Sequence, residues 1–326
     1  MSLTTRWRYL RRVFSAYVMG GSTQLSFWHE TPEVNERAPT DVLGEYYMTF
    51  RQKADYAGPF DGDGIPQLDY RGVLGPQYNP IAIAQYGLAN YNIYASTGAE
   101  DRRATFLRIA DWMLKSLEQN EHGVWVWNHY FDWEYRDTLR APWHSGLAQG
   151  QGISLLLRAY RDTDKTEYLD GAQRAFASME APTERGGVLF VDEAGRSWIE
   201  EYIVHPPTHI LNGFIWALWG VHDLAIATQS RAAKELWEAS VQTLVANLER
   251  FDTGYWSLYE QSGTRMKMMA SPFYHSLHIV QLRVMYRLTG LEIFREFADR
   301  WDRYKASGFN RRRALAYKVV FKLFYY

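Results

Sequence analysis

Two kinds of helix alternate along the chain from residue 78 onward. In each pair, small and apolar residues surround most of the first helix, whereas the second helix carries its charges on one face. Four such pairs cover residues 78–119, 144–180, 208–249 and 274–304. A helix that is apolar all round belongs in a protein interior, so we expect an inner and an outer helix in every pair. The pattern predicts a mainly α-helical fold, an incomplete α/α toroid of four hairpins with short connecting strands.

The pairs recur at a constant interval of 65 residues, at which four residues open the apolar runs: Asn79, His144, His209 and Tyr274. Aromatic, strand-like segments close the first three units at 123–127, 186–191 and 254–259. A fixed period of this kind indicates repeated units that share one core. Equivalent junctions of such units converge on one end of the fold, so we expect a site there.

Glycines recur inside the predicted inner helices: Gly87, Gly146, Gly150, Gly152 and Gly213. A glycine in a helix interior costs about 1 kcal/mol relative to alanine. Their recurrence predicts close packing between helices or room for a ligand, and the sequence leaves both interpretations open.

Three segments are predicted. Residues 1–75 form an N-terminal extension of strands and loops, with turn residues clustered at 59–67. Residues 76–306 form the toroid. Residues 307–326 form a basic amphipathic tail, in which Lys318 and Lys322 stand four apart on one helical face. This tail fits a helix packed on the body and equally a helix that holds the protein on an anionic membrane surface.

Composition narrows the classes of function. Apolar residues make up 47% of the 326 residues, which is ample for a large core, and the net charge of −1 argues against a nucleic-acid binder. The absence of cysteine excludes disulfides, thiol nucleophiles and thiolate metal sites. We expect no metal and no cofactor. Without an apolar run of 18 residues or a signal peptide, we expect a cytoplasmic protein, at most peripheral to the inner face of the membrane.

The chain is rich in aromatic residues, with 13 Trp and 23 Tyr, and aromatic rings suit the apolar faces of sugars. Tyr202, Tyr259 and Tyr274 stand at junctions of the repeating units, and Glu201 precedes the first of them. Polar residues near the same end of the inner helices are candidates for substrate binding: Asn79, Gln85, Tyr86, His144, Gln149, Gln151, His209, Asn212, His275 and His278.

Five segments, in order and with compatible spacing, resemble the D-glucuronyl C5-epimerase family: residues 75–91, 146–160, 200–224, 251–260 and 274–283. The resemblance implies conversion of glucuronate to iduronate in heparosan-type chains, by a β-rich part followed by an incomplete toroid. It implies catalytic roles for Glu201, Tyr202, Tyr259 and Tyr274. The animal enzymes place an arginine three residues after the second tyrosine. Ser262 stands there in this chain, so Arg265 and Lys267 are the nearest basic candidates for binding an acidic substrate.

Epimerisation at C5 needs one group to take a proton and another to return one on the opposite face of the sugar. We predict that Glu201 and Tyr274 form this pair, and that Tyr202 and Tyr259 stabilise the enolate or relay protons. The expected partner is an acidic, glucuronate-containing polysaccharide and not a nucleic acid. The oligomeric state is left open, with a homodimer among the alternatives.

Other classes of function compete with this interpretation. A polysaccharide lyase begins with the same proton abstraction, and a non-catalytic protein could bind the same acidic glycan. A glycoside hydrolase needs two carboxylates about 5–10 Å apart across the glycosidic bond, which two adjacent residues, Glu200 and Glu201, do not readily supply.

Overall fold

The computed structural model describes residues 27–28, 30–70 and 74–325, with side chains as far as Phe321. The N-terminal segment contains the short helix α1 (Arg51–Ala54) and the strand β1 (Leu68–Asp69), which pairs antiparallel with β2 (Pro76–Gln77). Residues 27–28 are also helical, and the other described residues of the segment form turns, bends, isolated bridges and irregular backbone.

Four helical hairpins follow, each with an inner helix of 18 residues. The inner helices are α2 (Pro80–Thr97), α4 (Gly146–Thr163), α6 (Leu211–Thr228) and α8 (Pro272–Thr289). The outer helices are α3 (Glu100–Ser116), α5 (Thr166–Glu180), α7 (Arg231–Asn247) and α9 (Glu292–Ala306). Neighbouring inner helices pack against one another in chain order. The predicted α/α toroid is therefore confirmed.

The turn between inner and outer helix is the same in every hairpin. Two residues link the helices, and the first of them has a left-handed backbone with φ between +57° and +72°: Gly98, Asp164, Gln229 and Gly290. Its N–H closes the inner helix on the carbonyl four residues earlier. The repeat seen in the sequence is thus a repeat of backbone geometry.

Glycines allow α4 and α6 to approach closely. A Cβ atom on Gly220 would lie 2.2 Å from the carbonyl oxygen of Gly150, and one on Gly150 would lie 2.5 Å from Cα of Ala217. Neither contact is tolerable, so these positions need glycine. Close packing, one of the two interpretations of the inner-helix glycines, holds for this pair of helices.

The N-terminal segment is hydrogen-bonded to all four inner helices. Arg158 of α4 donates to the carbonyl of Gly44 at 2.8 Å, and the Tyr47 hydroxyl donates to Asp223 of α6 at 2.7 Å. Asn92 of α2 donates to the carbonyl of Met48 at 2.9 Å, and Arg287 of α8 bonds the carbonyl of Asn35 at 2.8 Å. The division at residue 75 stays a prediction, since residues 38–65 share the core of the inner helices.

Short strands connect the hairpins on the side of the inner-helix N-termini. They are β3 (Glu118–Gln119), β4 (Trp125–Val126), β5 (Asn128–His129), β6 (Trp133–Glu134), β7 (Thr138–Leu139), β8 (Trp143–His144), β9 (Leu189–Val191) and β10 (Ser197–Ile199). The antiparallel pairs are β3–β4, β5–β8, β6–β7 and β9–β10. The strand-like segment at 254–259 forms only isolated bridges, through Ser257 and Leu258.

The last helix, α10 (Gly308–Tyr325), packs against α9. Its Lys318 donates to the carbonyl of Met269 at 3.1 Å, which fits the interpretation of a tail lying on the body. Four of its apolar side chains, those of Phe309, Leu315, Val319 and Val320, are exposed. Membrane contact through this helix stays a prediction. Within the described residues, none of the helices combines the length and apolar character that crossing a membrane would need.

Candidate active site

A cavity of about 170 Å³ lies where the N-termini of the four inner helices meet. Each inner helix contributes side chains from its first two turns or from the residue that caps it: Asn79, Ile81, Gln85, Leu147, Asn212, Trp216, Phe273, Tyr274 and Leu277. The connecting segments add Phe131, Trp133, Trp143, Glu201 and Tyr202. The N-terminal segment supplies the rest of the wall. The convergence predicted from the 65-residue period is therefore present.

Glu201 is almost fully buried, with 4% of its surface exposed. It follows β10, and Asn212 at the start of α6 donates to its Oε2 at 3.4 Å. Burial raises the pKa of its carboxyl from 4.5 to about 8, and a hydrogen bond with Tyr202 opposes that rise. A carboxyl group with a pKa near neutral pH can both take and give a proton under physiological conditions.

Tyr202 lines the cavity beside Glu201. Its ring centroid lies 4.7 Å from that of Tyr135 and 5.7 Å from that of Trp143. Burial, helped by the negative charge of Glu201, raises the pKa of the Tyr202 phenol well above 10. The phenol therefore keeps its proton at neutral pH and acts as a hydrogen-bond donor.

Tyr274 is the third residue of α8, whose N-terminus is capped by Ser271 through a 3.3 Å hydrogen bond to the Tyr274 N–H. Tyr274 lines the cavity. Tyr259 lies outside the lining, with its ring edge-on to Tyr274 at a centroid distance of 4.8 Å. Burial raises the pKa of the Tyr259 phenol well above 10. The structure thus brings Tyr274 to the cavity and places Tyr259 directly against it.

Glu200 has a different role from Glu201. Its carboxylate accepts a hydrogen bond from the backbone N–H of His209 at 3.1 Å and a second from the His209 ring. That ring is stacked on Trp198 at 4.2 Å, and the His209 backbone is left-handed, with φ of +51°. Glu200 therefore fixes the loop that precedes α6 through its hydrogen bonds to His209. The His209 side chain is part of this contact and lies outside the cavity lining.

Amide groups form a polar layer in the inner helices. Gln85 and Gln151 are each the sixth residue of an inner helix, and Nε2 of Gln85 donates to Oε1 of Gln151 at 3.1 Å. Three polar atoms of inner-helix residues that line the cavity are buried without a hydrogen-bond partner in the described part of the chain: Oε1 of Gln85, Oδ1 of Asn212 and Nε1 of Trp216. Buried groups of this kind are suited to meeting the hydroxyls of a sugar.

Several predicted substrate-binding residues are not in the cavity lining. His275 and His278 are fully buried around the hydroxyl of Ser257, and the second ring nitrogen of His275 contacts the Trp301 carbonyl at 3.0 Å. Burial lowers the pKa of His275 to about 4, so its ring is neutral. Both histidines serve the packing of α8 on α9 and lie outside the cavity lining, so the substrate-binding role predicted for them has no support from their position.

Arg265 and Lys267 are exposed on the loop before α8, away from the cavity lining, so their predicted contact with the substrate is not seen. The His144 ring contacts the carbonyl of Gly187 at 3.4 Å. Tyr86 packs on Phe60 instead, with ring centroids 5.7 Å apart. All four residues lie outside the cavity lining, so substrate contact through them stays a prediction.

Gln149 is completely buried, and neither atom of its amide has a hydrogen-bond partner among the described residues. Gln149 lies outside the cavity lining. Gln151 also lies outside it and accepts a hydrogen bond from Gln85, which lines the cavity. Asn79 and Asn212, by contrast, line the cavity as predicted. Asn79 also caps α2 through its side-chain oxygen and donates to the Tyr70 hydroxyl at 2.8 Å.

Sequence reasoning missed the wall built by the N-terminal segment. Glu30, Lys53 and Tyr70 line the cavity, together with Trp133 and Trp143 from the strands. Residues 1–75 show no helical period, so nothing in their pattern links them to the inner helices. No group of acidic residues or histidines within the described ranges is arranged to hold a metal ion. At the turn cluster, Asp61 accepts the backbone N–H groups of Asp63 and Ile65 instead.

The chain is similar to known proteins over more than half of its length. The profile described as D-glucuronyl C5-epimerase C-terminus matches residues 119–303. A D-glucuronyl C5-epimerase of Caenorhabditis elegans is 30% identical over 221 residues, which are 63% of this chain and 35% of the worm protein. An uncharacterized protein of Methanocaldococcus jannaschii is 29% identical over 195 residues, 59% of this chain and 62% of that protein. The chain thus spans about a third of the first relative and less than two thirds of the second.

A solved structure shares the fold. A sugar epimerase from a ruminal bacterium has a TM-score of 0.51 to this chain, with 15% identity, covering 85% of this chain and 66% of that protein. Identity at that level speaks for the architecture alone. The profile match, however, covers more than half of the chain and includes Glu201, Tyr202 and Tyr274. The chain belongs to the D-glucuronyl C5-epimerase C-terminus family.

Proposed function

We propose that the cavity removes and returns the C5 proton of glucuronate residues in a heparosan-like polysaccharide, converting D-glucuronate to L-iduronate. One observation carries the proposal: a carboxyl group with a pKa near 8 and two phenols, those of Tyr202 and Tyr274, line one cavity in a member of this family. Aromatic rings around these groups, including those of Trp133 and Trp143, suit the faces of sugar rings.

In the proposed forward step, ionised Glu201 takes the proton from C5. The electron pair of the C–H bond moves toward the sugar carboxylate and forms an enolate, which protonated phenols stabilise by hydrogen bonds. Tyr274 then gives its phenolic proton to the opposite face of C5, and the electron pair returns to carbon. The proton on Glu201 restores the Tyr274 phenol by way of Tyr202 or water. The net change is inversion at C5, with no bond to a neighbouring sugar broken.

The protonation states fit these roles. With a pKa of about 8, roughly a tenth of Glu201 is ionised at pH 7, and each ionised carboxylate is a stronger base than an exposed one. The Tyr202 and Tyr259 phenols stay protonated because burial raises the pKa of each well above 10. Both are therefore hydrogen-bond donors and not bases, and Tyr202, which lines the cavity, is placed to donate to a developing negative charge.

Incubation with heparosan in D2O tests the proposal. NMR and mass spectrometry of the recovered polymer are expected to show deuterium at C5, iduronate signals and unchanged chain length. Unsaturated uronate at new chain ends would make the protein a lyase, and shortened chains with saturated ends would make it a hydrolase. A polymer that acquires neither deuterium nor iduronate would contradict the proposal for heparosan-like substrates.

A further inference from the structure

Lys53 is a buried cation in the cavity wall. Only 5% of its surface is exposed, and it comes from α1 in the N-terminal segment, ahead of the residues that the family profile matches. Among the described residues of the lining, it is the only lysine, arginine or histidine. Any anionic group of a ligand in this cavity therefore has this one described cationic side chain as a partner.

The ammonium group of Lys53 is held in place by contacts that use only part of its hydrogen-bonding capacity. It donates to the backbone carbonyl of Phe27 and lies over the Phe27 ring, 4.3 Å from its centroid. Its one carboxylate neighbour, Glu30, lies 3.7 Å away, beyond hydrogen-bond distance. A lysine has three N–H donors, so the bond to Phe27 leaves donors for a ligand.

One oxygen of the Glu30 carboxylate accepts a hydrogen bond, and the other faces the Lys53 ammonium group at 3.7 Å without a hydrogen bond. Its Oε1 accepts the backbone N–H of Gln52 at 2.9 Å, which fixes the first turn of α1 and hence the position of Lys53. Its Oε2 is buried without a hydrogen-bond partner in the described structure. Burial lowers the pKa of Lys53 to about 8, which still leaves the side chain mostly charged at neutral pH.

We propose that Lys53 binds the carboxylate of the uronate residue whose C5 reacts, with the free oxygen of Glu30 accepting a neighbouring sugar hydroxyl. This inference rests on the proposed function and deepens it by naming the group that selects an acidic sugar. A charge-assisted hydrogen bond to the carboxylate stabilises the negative charge that grows there when the C5 proton leaves. In this proposal, Lys53 of the N-terminal segment binds the acidic group of the substrate, the role predicted from the sequence for Arg265 and Lys267.

The test compares two probes on three proteins. A heparosan tetrasaccharide and its carboxyl-reduced form, in which glucose replaces glucuronate, are titrated by calorimetry. The proteins are the wild type, Lys53→Met, and Lys165→Met as a control. Lys165 is exposed in the linker at the opposite end of the second hairpin. Methionine preserves the length and packing of the buried lysine stem, and Lys53→Gln serves as a second variant if Lys53→Met does not fold.

We expect the wild type and Lys165→Met to prefer the carboxylated probe by about tenfold or more. We expect Lys53→Met to lose this preference through weaker binding of that probe alone. An unchanged preference in a folded Lys53 variant would overturn the inference, and so would a wild type that binds both probes equally. C5 exchange in D2O, measured on the same wild-type sample, separates the two ideas. Exchange with an unchanged preference refutes only the role of Lys53, whereas a lost preference without exchange refutes only the epimerase.

Discussion

Gly213 makes the space that the Glu201 carboxyl group occupies. A Cβ atom on Gly213 would lie 2.1 Å from Oε2 of Glu201 and 2.6 Å from its Cβ. Two non-bonded heavy atoms cannot approach each other so closely, so any side chain at position 213 displaces the Glu201 carboxyl group. The sequence leaves two interpretations of the inner-helix glycines open, close packing and room for a ligand. Gly213 fits neither alone, because its lack of a side chain makes room for the Glu201 carboxyl group in the cavity wall.

Gly213→Ala is therefore expected to lower activity while the toroid still folds. A displacement of about 1 Å at a catalytic group can cost about 100-fold in rate, and we expect a loss of that order in kcat/KM. Gly62→Ala is the matched control, because an added Cβ there meets nothing within 4 Å. The measurement is C5 exchange alongside thermal unfolding. Wild-type activity in Gly213→Ala would show that the position of Glu201 is unimportant.

Glu201→Gln is expected to stabilise the protein at alkaline pH. The Glu201 pKa is about 8 in the folded state against 4.5 for the free side chain. Between these values the unfolded chain gives up its proton while the folded protein keeps it, so this residue weakens folding as the pH rises from 4.5 to 8. Removing the titration should raise the free energy of unfolding at pH 8 by about 2–4 kcal/mol and change it little at pH 4.

Urea denaturation at both pH values measures this difference. Glu193→Gln is the control, because Glu193 is exposed and its replacement should leave the pH dependence unchanged. Equal effects of Glu201→Gln at pH 4 and pH 8 would mean that the carboxyl is not held neutral by burial.

Removing one phenol at a time is expected to abolish most of the turnover. Tyr202→Phe and Tyr274→Phe each keep the ring packing but remove the group that donates a proton or a hydrogen bond. General acid–base groups contribute about 100- to 10,000-fold, so we expect losses in kcat within that range. Tyr94→Phe is the control, since Tyr94 lies near the C-terminus of α2, at the other end of the ring. A non-catalytic glycan-binding protein would lose little affinity in any of the three variants.

The buried ion pair between Arg158 and Asp223 is expected to be a stability determinant. Both side chains are fully buried, and the Tyr47 hydroxyl also donates to Asp223 at 2.7 Å. Arg158→Met leaves an unpaired buried carboxylate, which should cost about 3–5 kcal/mol. Urea denaturation measures the loss, and the double variant Arg158→Met/Asp223→Asn should recover part of it. A double variant as unstable as the sum of its parts would contradict the pairing.

The helical framework could be predicted from the sequence because its signal is local and repeated. Inner helices that are apolar all round have no other stable place than an interior, and the 65-residue period fixed which of their ends meet. That period points to Tyr274, and the family resemblance points to both Glu201 and Tyr274. Both residues lie in the cavity lining, and their chemical roles stay predictions.

The cavity wall formed by the N-terminal segment could not be predicted in this way. Lys53 reaches the cavity through contacts with residues far away in the sequence, and no periodic pattern marks it. His275 and His278 lie near the N-terminus of α8, as their spacing predicts, but spacing gives no information on which side of α8 they face, and they lie outside the cavity lining. The position of a residue along a helix predicts how close it lies to the end of the ring that holds the cavity. The direction of its side chain depends on how the helix packs against neighbouring elements.

The most direct test of the account is the distribution of deuterium at C5 between recovered glucuronate and new iduronate after brief incubation of heparosan in D2O. Two groups acting on opposite faces predict that the wild type places deuterium mainly in iduronate. Tyr274→Phe should exchange glucuronate through Glu201 without forming iduronate, and Glu201→Gln should exchange neither sugar when glucuronate is the substrate. Wild-type exchange in Glu201→Gln would contradict the central claim that this buried carboxyl removes the C5 proton.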